Sequence, residues 1–313
     1  MVSISKALLK EYKHKSDYLN RYSKLCRTIQ IISLSKLNSI KYRLKNRQAA
    51  LELFRYLLNP ILNDNELNYK NYFIMAIGTI KTCCNLLNNN ATSTLKTIVK
   101  NLLEMNKKIN LIAYSEKITL FAKKNHSRYL KKKILKAEFE SVSFTFATIL
   151  VNRLFGFGFK FNNKKDPGYA KLTRKKIDYD KCIIIFNRYV SITEQVPAFY
   201  TAYSYNKLLR FYHKDFDTIN KFDLFKSLFF VNLKESMNKV RLLKNLCHFG
   251  YTLIILDCLE ESEYCQYASR SNVMKHAHQA SKDLAAKYLR EYHKIRQELI
   301  TRELSEIVAA VDA

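Results

Sequence analysis

The sequence is poor in glycine and proline. It has 5 glycines and 3 prolines among 313 residues, whereas the two together make up roughly 12% of an average protein. Because tight turns depend on these residues, their scarcity argues against a β-sandwich, a β-barrel or a propeller. It favours long helices, since neither residue is well tolerated in a helix interior.

Acidic residues are also scarce relative to basic ones. Lys and Arg number 54 against 27 Asp and Glu, which gives a formal net charge of +27. Apolar residues make up 48% of the chain, enough for a folded core, so a disordered basic tail is excluded. A basic nucleic-acid-binding or scaffold protein is the alternative that this charge leaves open. The cations are spread along the whole chain, however, without a recognition-helix or RNA-binding signature.

Long apolar runs and paired cysteine motifs are missing too. No apolar run reaches the roughly 18 residues of a membrane span. The 7 cysteines form no CxxC motif, and we expect reduced thiols in a cytosolic or matrix-like compartment. The N-terminal stretch MVSISKALLKEYKHK is basic and amphipathic, without the apolar region of a secretory signal. A transit peptide that overlaps this stretch and one that has already been removed are both compatible with it.

Catalytic motifs are not found either. Gly156-Phe157-Gly158 lacks the further glycine and the lysine of a phosphate-binding loop, so we expect a bend there. His276 and His278 point to different sides of a predicted helix, which argues against a metal site. One acidic cluster is interpreted as a solvated helix face: Glu260, Glu261 and Glu263.

The first segment is predicted to be one long helix. Ser3–Leu58 contains neither glycine nor proline, and Asn59-Pro60 ends it because a residue before proline is pushed out of the helical region. Apolar residues in this segment recur every three or four positions and so share one stripe. We predict that this stripe is a seam against a partner helix: Tyr18, Tyr22, Leu25, Ile29 and Ile32.

The last segment has the same character. From Lys239 to Val311 there is no proline and only Gly250. One predicted seam comprises Leu242, Leu246, Phe249, Leu253 and Leu256. A second comprises Met274, Ala277, Ser281, Leu284, Tyr288, Tyr292, Ile295 and Leu299, with two successive steps of four around Tyr288. Since narrow stripes suit a two-stranded coil, we expect the two ends of the chain to pair as an antiparallel coiled coil.

The middle of the chain reads as a small α/β domain. Buried strands are predicted at Tyr72–Ile77, Ile109–Tyr114 and Cys182–Phe186. Helices are predicted near Thr92–Leu103, Glu116–Lys124 and Ser141–Leu154, and the lysine-rich stretch Lys160–Lys181 reads as a loop. Alternating strands and helices indicate a parallel sheet with crossover helices. The predicted domains are residues 1–60, 61–210, 211–238 (a linker) and 239–313.

Several strings of residues, taken in order, resemble one family. They are HKIRQELITRELSEIVAAVDA at the C-terminus, Ala268–Met274, Leu259–Glu263, IIFNRY at Ile184–Tyr189 with Pro197-Ala198-Phe199 after it, and Ile29-Gln30. Together with the helix–α/β–helix plan, they resemble the gamma subunit of F-type ATP synthase, mitochondrial type. The resemblance implies an α/β fold in which a Rossmann-like domain is inserted between the helices of an antiparallel coiled coil.

The sequence departs from the family pattern in three places. The turn after the first strand keeps a cysteine but loses both family glycines, at Thr82-Cys83-Cys84-Asn85. Leu154–Lys181 and Phe211–Asn238 are expanded or divergent, which affects the contacts expected of the α/β domain. The cysteine-bearing regulatory insert of the chloroplast form is absent from the sequence, so we do not expect light-linked thiol control.

The resemblance also implies a function. The family's gamma subunit is the rotor shaft of the central stalk, which transmits torque from a proton-driven membrane ring to the catalytic alpha/beta hexamer. The implied partners are alpha, beta, delta and epsilon subunits and the c-ring, on the matrix side of the mitochondrial inner membrane, with no nucleic acid and no membrane span of its own. No catalytic residue, cofactor or metal is implied for this chain. The positions that match family contacts to beta-subunit loops are Arg296, Gln297, Thr301 and Glu303.

Overall fold

The computed structural model describes residues 2–58, 69–79, 84–134, 142–155, 179–208 and 236–311. The chain divides into two compact units. The helical unit consists of Met1–Asn38 and Tyr267–Ala313, and the α/β unit consists of Ser39–Gln266. The domain boundaries drawn from the sequence stay a prediction.

Long helices occupy both ends of the described chain, with shorter elements between them. The helices are α1 (Val2–Leu58), α2 (Asn85–Glu104), α3 (Glu116–Asn125), α4 (Phe144–Phe155) and α5 (Ser236–Val311). The strands are β1 (Asn71–Ile77), β2 (Lys108–Tyr114), β3 (Leu130–Ile134), β4 (Lys181–Tyr189) and β5 (Gln195–Tyr203). The predicted terminal helices and all three predicted strands are therefore confirmed. The three predicted central helices coincide with α2, α3 and α4.

The α/β unit is built on one mixed sheet with the strand order β3-β2-β1-β4-β5. β1 pairs in parallel with β2 and β4, and β2 pairs in parallel with β3. β5 is antiparallel to β4, so the predicted parallel sheet of β1, β2 and β4 carries one antiparallel strand at its edge. A short hairpin permits this reversal, whereas each parallel neighbour requires a longer crossover.

Both faces of the sheet are covered, because alternate residues of a strand point to opposite sides. Phe73 and Met75 pack with buried residues of α1, α4 and α5 on one face. Ile74 and Ala76 pack with α2 and α3 on the other. All four side chains are at most 1% exposed, so β1 is the centre of the core.

None of the described helices is both long enough and apolar enough to cross a membrane.

Gly78 directly follows β1 and lies against α3. Its N–H donates a hydrogen bond to the Tyr114 carbonyl oxygen (2.9 Å). A Cβ atom at this position would overlap Ile118 Cγ1 and Ser115 Oγ, and Ile118 is fully buried. We expect Gly78→Ala to lower the free energy of unfolding by about 1–3 kcal/mol, because a packed core has no room for the added methyl group. Urea denaturation of the full-length chain measures this.

A double-mutant cycle supplies the control for Gly78→Ala. Ile118→Ala removes one of the atoms that the new methyl group would meet, so the combined loss in Gly78→Ala/Ile118→Ala should be smaller than the sum of the two single losses. Strictly additive losses would show that the overlap with Ile118 is not the cause.

Candidate functional site: the paired terminal helices and their charged segment

Within the helical unit, α1 and α5 run antiparallel. Ser16 Oγ donates to the Ala285 carbonyl oxygen (3.0 Å), and Ser23 Oγ lies 2.8 Å from His278 Nδ1. The ring of Tyr12 stacks on that of Tyr288, with 5.9 Å between the centroids. Residue numbers therefore rise along α1 as they fall along α5. This confirms the predicted antiparallel pairing of the two ends of the chain.

The buried face of α1 is not the stripe that the sequence predicts. Leu25 is 60% exposed and Ile32 is 55% exposed, and Ile29 is only half-buried. The buried positions lie one residue further along and repeat at heptad spacing. They are Ser23, Cys26, Gln30, Ser33 and Leu37, with Ser16 one heptad before Ser23. The predicted N-terminal seam is corrected by one residue, about 100° around the helix.

The prediction missed the buried face of α1 because most of its residues are small or polar. Small and polar side chains face the partner helix, and their hydroxyl groups are hydrogen-bonded. Ser33 Oγ donates to the Ile29 carbonyl oxygen (2.8 Å), and Ser281 Oγ donates to the Ala277 carbonyl oxygen (2.6 Å). A search for apolar periodicity cannot find such a seam, because serine, cysteine and alanine carry little apolar signal. The separate apolar stripe of α1, which includes Tyr18 at 69% exposure, faces solvent.

On α5 the seam is partly as predicted. Met274, Ser281 and Leu299 are buried, and Tyr288 and Ile295 are half-buried. Leu284 is 46% exposed, whereas its neighbour Ala285 is 2% exposed. Because Ala285 is buried and Leu284 is not, the inward positions Ser281, Ala285 and Tyr288 are spaced four and then three residues apart. The predicted seam had two successive steps of four here, and the observed one keeps an unbroken heptad pattern.

The first predicted seam of α5, from Leu242 to Leu256, lies in the α/β unit, and its described side chains are only partly buried. Leu253 is 6% exposed and belongs to the main core. Leu246 is half-buried. Phe249 is 43% exposed, but its ring makes an edge contact with Phe54 of α1, with 5.4 Å between centroids.

The last turns of α5, residues 300–311, form a surface that we call the C-terminal tip. Every residue of the tip is exposed. Its large apolar side chains are Ile300, Leu304, Ile307, Val308 and Val311, at 45–80% exposure. Arg296, Gln297, Thr301 and Glu303 are exposed as well. Thr301 Oγ1 donates to the Gln297 carbonyl oxygen (2.9 Å), so this hydroxyl already has a local acceptor.

The acidic cluster of α5 in the α/β unit is not the solvated face that the sequence predicts. Glu260 is 2% exposed, and its carboxylate binds Arg47 and Arg43, the latter at 3.2 Å from Nε. Burial of a carboxylate is tolerated only where a cation pairs with it. The arginines come from α1, more than two hundred residues away in sequence, so the pairing is invisible to local pattern analysis.

Two neighbouring carboxylates of α5, Asp257 and Glu261, also lie near arginines. We call Asp257, Glu260 and Glu261 with their arginines the charged segment. Asp257 Oδ2 lies 3.5 Å from Arg55 Nη2, and Glu261 Oε1 lies 3.6 Å from Arg188 Nε. Burial and, less strongly, the nearby Asp257 raise the pKa of Glu261 from its ordinary value near 4.5 to about 7, against the opposing effect of Arg188. Burial also raises the pKa of Asp257, against the opposing effect of Arg55.

The raised pKa of Glu261 predicts a pH-dependent stability. The folded chain holds this proton more tightly than the unfolded chain, so the contribution of Glu261 to the free energy of unfolding is fully present below about pH 4.5 and is lost as the pH rises to about 7. We expect Glu261→Gln, which cannot ionise, to gain stability relative to the natural chain between about pH 5 and about pH 8. Urea denaturation of both chains across this range measures the difference.

Glu263→Gln is the control for this pH experiment. Glu263 lies on the same helix and, like Glu261, is half-buried. Its stability curve should run parallel to that of the natural chain. If Glu261→Gln also runs parallel, the proposed titration is wrong.

The remaining candidate residues behave as structural groups or lie outside the described residues. Every cysteine that the structure describes is a buried thiol outside any disulfide, and burial raises the pKa of Cys182, Cys247 and Cys258. Such thiols are protonated and unreactive. Among the described residues no cluster of His, Cys, Asp and Glu is suited to hold a metal ion. Residues 80–83, 156–178 and 209–235 lie outside the described part of the chain. They include Thr82 and Cys83 of the altered turn, the Gly156–Gly158 motif and most of the predicted linker 211–238.

Comparisons with known proteins agree on one family. The family model described as ATP synthase matches residues 8–313. The ATP synthase gamma chain of Bdellovibrio bacteriovorus is 20% identical over 98% of this chain and 99% of its own length. The mitochondrial ATP synthase subunit gamma of Trypanosoma brucei brucei is 23% identical over 97% of this chain and 92% of its own length.

Solved structures show the same fold. A chain of the Euglena gracilis mitochondrial ATP synthase, in a structure of OSCP, F1 and the c-ring, aligns with a TM-score of 0.65 and 19% identity. The alignment covers 98% of this chain and 94% of that one. Since the family model spans nearly the whole sequence and the relatives matched along their full length are gamma chains, this chain belongs to the ATP synthase gamma-chain family.

Proposed function

We propose that this chain is the rotor shaft of the central stalk of an F-type ATP synthase. It transmits torque from the proton-driven membrane ring to the catalytic alpha/beta hexamer and thereby couples proton translocation to ATP synthesis. The observation that carries the proposal is the family match over residues 8–313, on a chain whose two ends pair as antiparallel helices. Nucleotide chemistry takes place on the partner subunits, and this chain acts on them by contact.

The shaft acts by favouring one conformation of each beta subunit over the others. A rotor shifts such an equilibrium only if its contacts with the alternative states differ in free energy. The exposed C-terminal tip and the residues before it supply a surface for those contacts. Arg296, Gln297, Thr301 and Glu303 are proposed to meet beta-subunit loops there. Arg296 and Glu303 are seven residues apart and lie on the same face of α5, so one partner surface meets both.

The net charge of +27 fits the same role. Attraction between a basic shaft and acidic partner loops is long-ranged, screened over roughly 8 Å, and not tied to one geometry. It holds the shaft near its partners at every angle, whereas a few strong fixed pairs would favour one angle of rotation.

The proposed setting is the matrix side of the mitochondrial inner membrane, as a peripheral part of the synthase. The support is the mitochondrial ATP synthases among the relatives and the aligned structures. The proposed partners are alpha and beta subunits, delta and epsilon stalk subunits and the membrane c-ring. The aligned Euglena structures contain F1 and the c-ring or the rotor, which supports an assembly of this kind.

Affinity purification of the tagged chain from its own cells tests the proposal. We expect alpha, beta, delta and epsilon subunits at fixed stoichiometry, together with ATPase activity in the purified complex. Recovery of RNA or DNA instead, with binding that falls steeply as salt is raised, would establish the nucleic-acid alternative and overturn the rotor.

A further inference from the structure

The carboxyl end of β4 extends past its parallel neighbour. The ladder between β1 and β4 ends at Ala76 and Ile185, whereas the ladder between β4 and β5 continues to Tyr189 and Gln195. Residues 187–189 therefore have β5 on one side and no described strand on the other. Buried backbone N–H and C=O groups on such an edge need other partners.

Helix α5 supplies those partners. The Asn187 N–H donates to Ser262 Oγ (3.4 Å), and Cys265 Sγ donates to the Asn187 carbonyl oxygen (3.2 Å). Both contacts are buried. At this position two side chains of one helix turn thus take the place of a neighbouring strand.

The next two residues of β4 contact the same turn of α5. Arg188 pairs with Glu261 at 3.6 Å, and the Tyr189 backbone N–H stabilises the Glu261 carboxylate. The Tyr189 ring makes an edge contact with Tyr264, with 4.5 Å between centroids. We call this zone the strand–helix joint. It consists of three consecutive residues of β4 and one turn of α5: Asn187, Arg188, Tyr189, Glu261, Ser262, Tyr264 and Cys265.

The opposite partner of this α5 segment is α1. Glu260, immediately before the joint, pairs with Arg43 and Arg47, and Asp257 pairs with Arg55. One stretch of α5 is therefore held to the end of the sheet and to the other terminal helix by directional contacts.

We propose that the strand–helix joint makes α5 turn with the sheet, and that Glu261 and Arg188 are its positioning pair. This inference rests on the proposed rotor function. Torque on the α/β unit acts as a sideways force between β4 and α5. Apolar packing is non-directional, whereas hydrogen bonds weaken steeply when their geometry is lost and a charge pair weakens as its two groups separate.

The groups that face Glu261 make the pair responsive to pH. They are Asp257, Cys258 and Cys265 on α5, Arg55 on α1, and Arg188 with the Tyr189 N–H on β4. Protonation of Glu261 removes its charge pair with Arg188 as the pH falls through about 7, although the same protonation relieves the cost of burying the carboxylate and so stabilises the fold. A residue that merely fills space would not produce this dependence.

The test uses the complete synthase that contains this chain, reconstituted in phospholipid vesicles. ATP hydrolysis and ATP-driven proton uptake are measured between about pH 6 and about pH 8.5, a range that brackets the titration of Glu261. The variants are Glu261→Gln, which keeps side-chain volume, and Arg188→Gln, which removes the cation, with Glu263→Gln as the control. Ser262→Ala provides a milder lesion of the joint if a charge variant fails to assemble.

At alkaline pH we expect Glu261→Gln and Arg188→Gln to hydrolyse ATP but to take up severalfold fewer protons per ATP than the natural complex. The difference should shrink as the pH falls below about 7, where the natural pair is itself lost, and Glu263→Gln should follow the natural complex throughout. Charge exchange, Arg188→Glu with Glu261→Arg, should restore part of the uptake.

Failure of the proposed joint and failure of the proposed rotor function would give different results. Proton uptake per ATP that is unchanged at every pH in Glu261→Gln, Arg188→Gln and Ser262→Ala would overturn the joint and leave the rotor function standing. A natural complex that contains this chain yet hydrolyses ATP without any proton uptake would overturn the rotor function itself.

Discussion

Ala285→Asp is expected to separate α1 from α5 in the helical unit, whereas Leu284→Asp should leave them paired. Ala285 is 2% exposed and its carbonyl oxygen accepts a hydrogen bond from Ser16. Leu284, the adjacent residue, is 46% exposed. A carboxylate at position 285 would be buried against α1, at a cost of about 3 kcal/mol or more, while one at position 284 would remain in water.

Amide hydrogen exchange in residues 12–33 of α1 measures this difference. A loss of about 3 kcal/mol corresponds to exchange more than about a hundredfold faster. The two variants carry the same new charge one residue apart, so each is the control for the other. Equal exchange rates in both, or faster exchange in Leu284→Asp alone, would mean that the observed register of the seam is wrong.

Removal of the Glu260 carboxylate is expected to have the second large effect. Its side chain is 3% exposed and binds two arginines of α1, of which Arg47 is 19% exposed and Arg43 46%. Glu260→Ala leaves a largely buried guanidinium without its anion, and loss of one partner of a buried pair costs about 3–5 kcal/mol. Urea denaturation of the full-length chain at neutral pH measures this loss as a lower transition midpoint.

Two further variants isolate the cause of the Glu260 effect. Glu260→Ala combined with Arg47→Met replaces the pair by apolar groups, so it should be more stable than Glu260→Ala alone. Glu291→Ala removes an exposed carboxylate from the same helix and should change stability by no more than about 0.5 kcal/mol. A Glu260→Ala loss as small as that of Glu291→Ala would contradict a buried ion pair.

Local sequence patterns were sufficient for most secondary structure. The absence of helix-breaking residues predicted α1 and α5, and short β-branched apolar runs predicted β1, β2 and β4. β3 gave no such signal, because Leu130–Ile134 carries three lysines between its apolar ends. β5 gave no such signal either, since Pro197 and its half-exposed neighbours do not form a buried run. Both are edge strands, where one side needs no ladder and polar residues are tolerated.

Functional surfaces were predicted less well than secondary structure. The family resemblance alone pointed to Arg296, Gln297, Thr301 and Glu303, which are exposed. Nothing local identified the charged segment, because Glu260 and Glu261 become partly or fully buried only through arginines on α1 and β4. The joint likewise depends on where β1 ends relative to β4, a property of the sheet register.

The sequence by itself determined that long helices flank an α/β region, because breaker content and periodicity are local properties of the chain. Tertiary structure alone decided which helix face is inward. On α1, stripes one residue apart are both regular, and only contact with α5 selects the one with Ser23, Cys26 and Gln30. Side-chain hydrogen bonds and close helix approach make small polar residues the better seam there, while larger apolar residues remain at the surface.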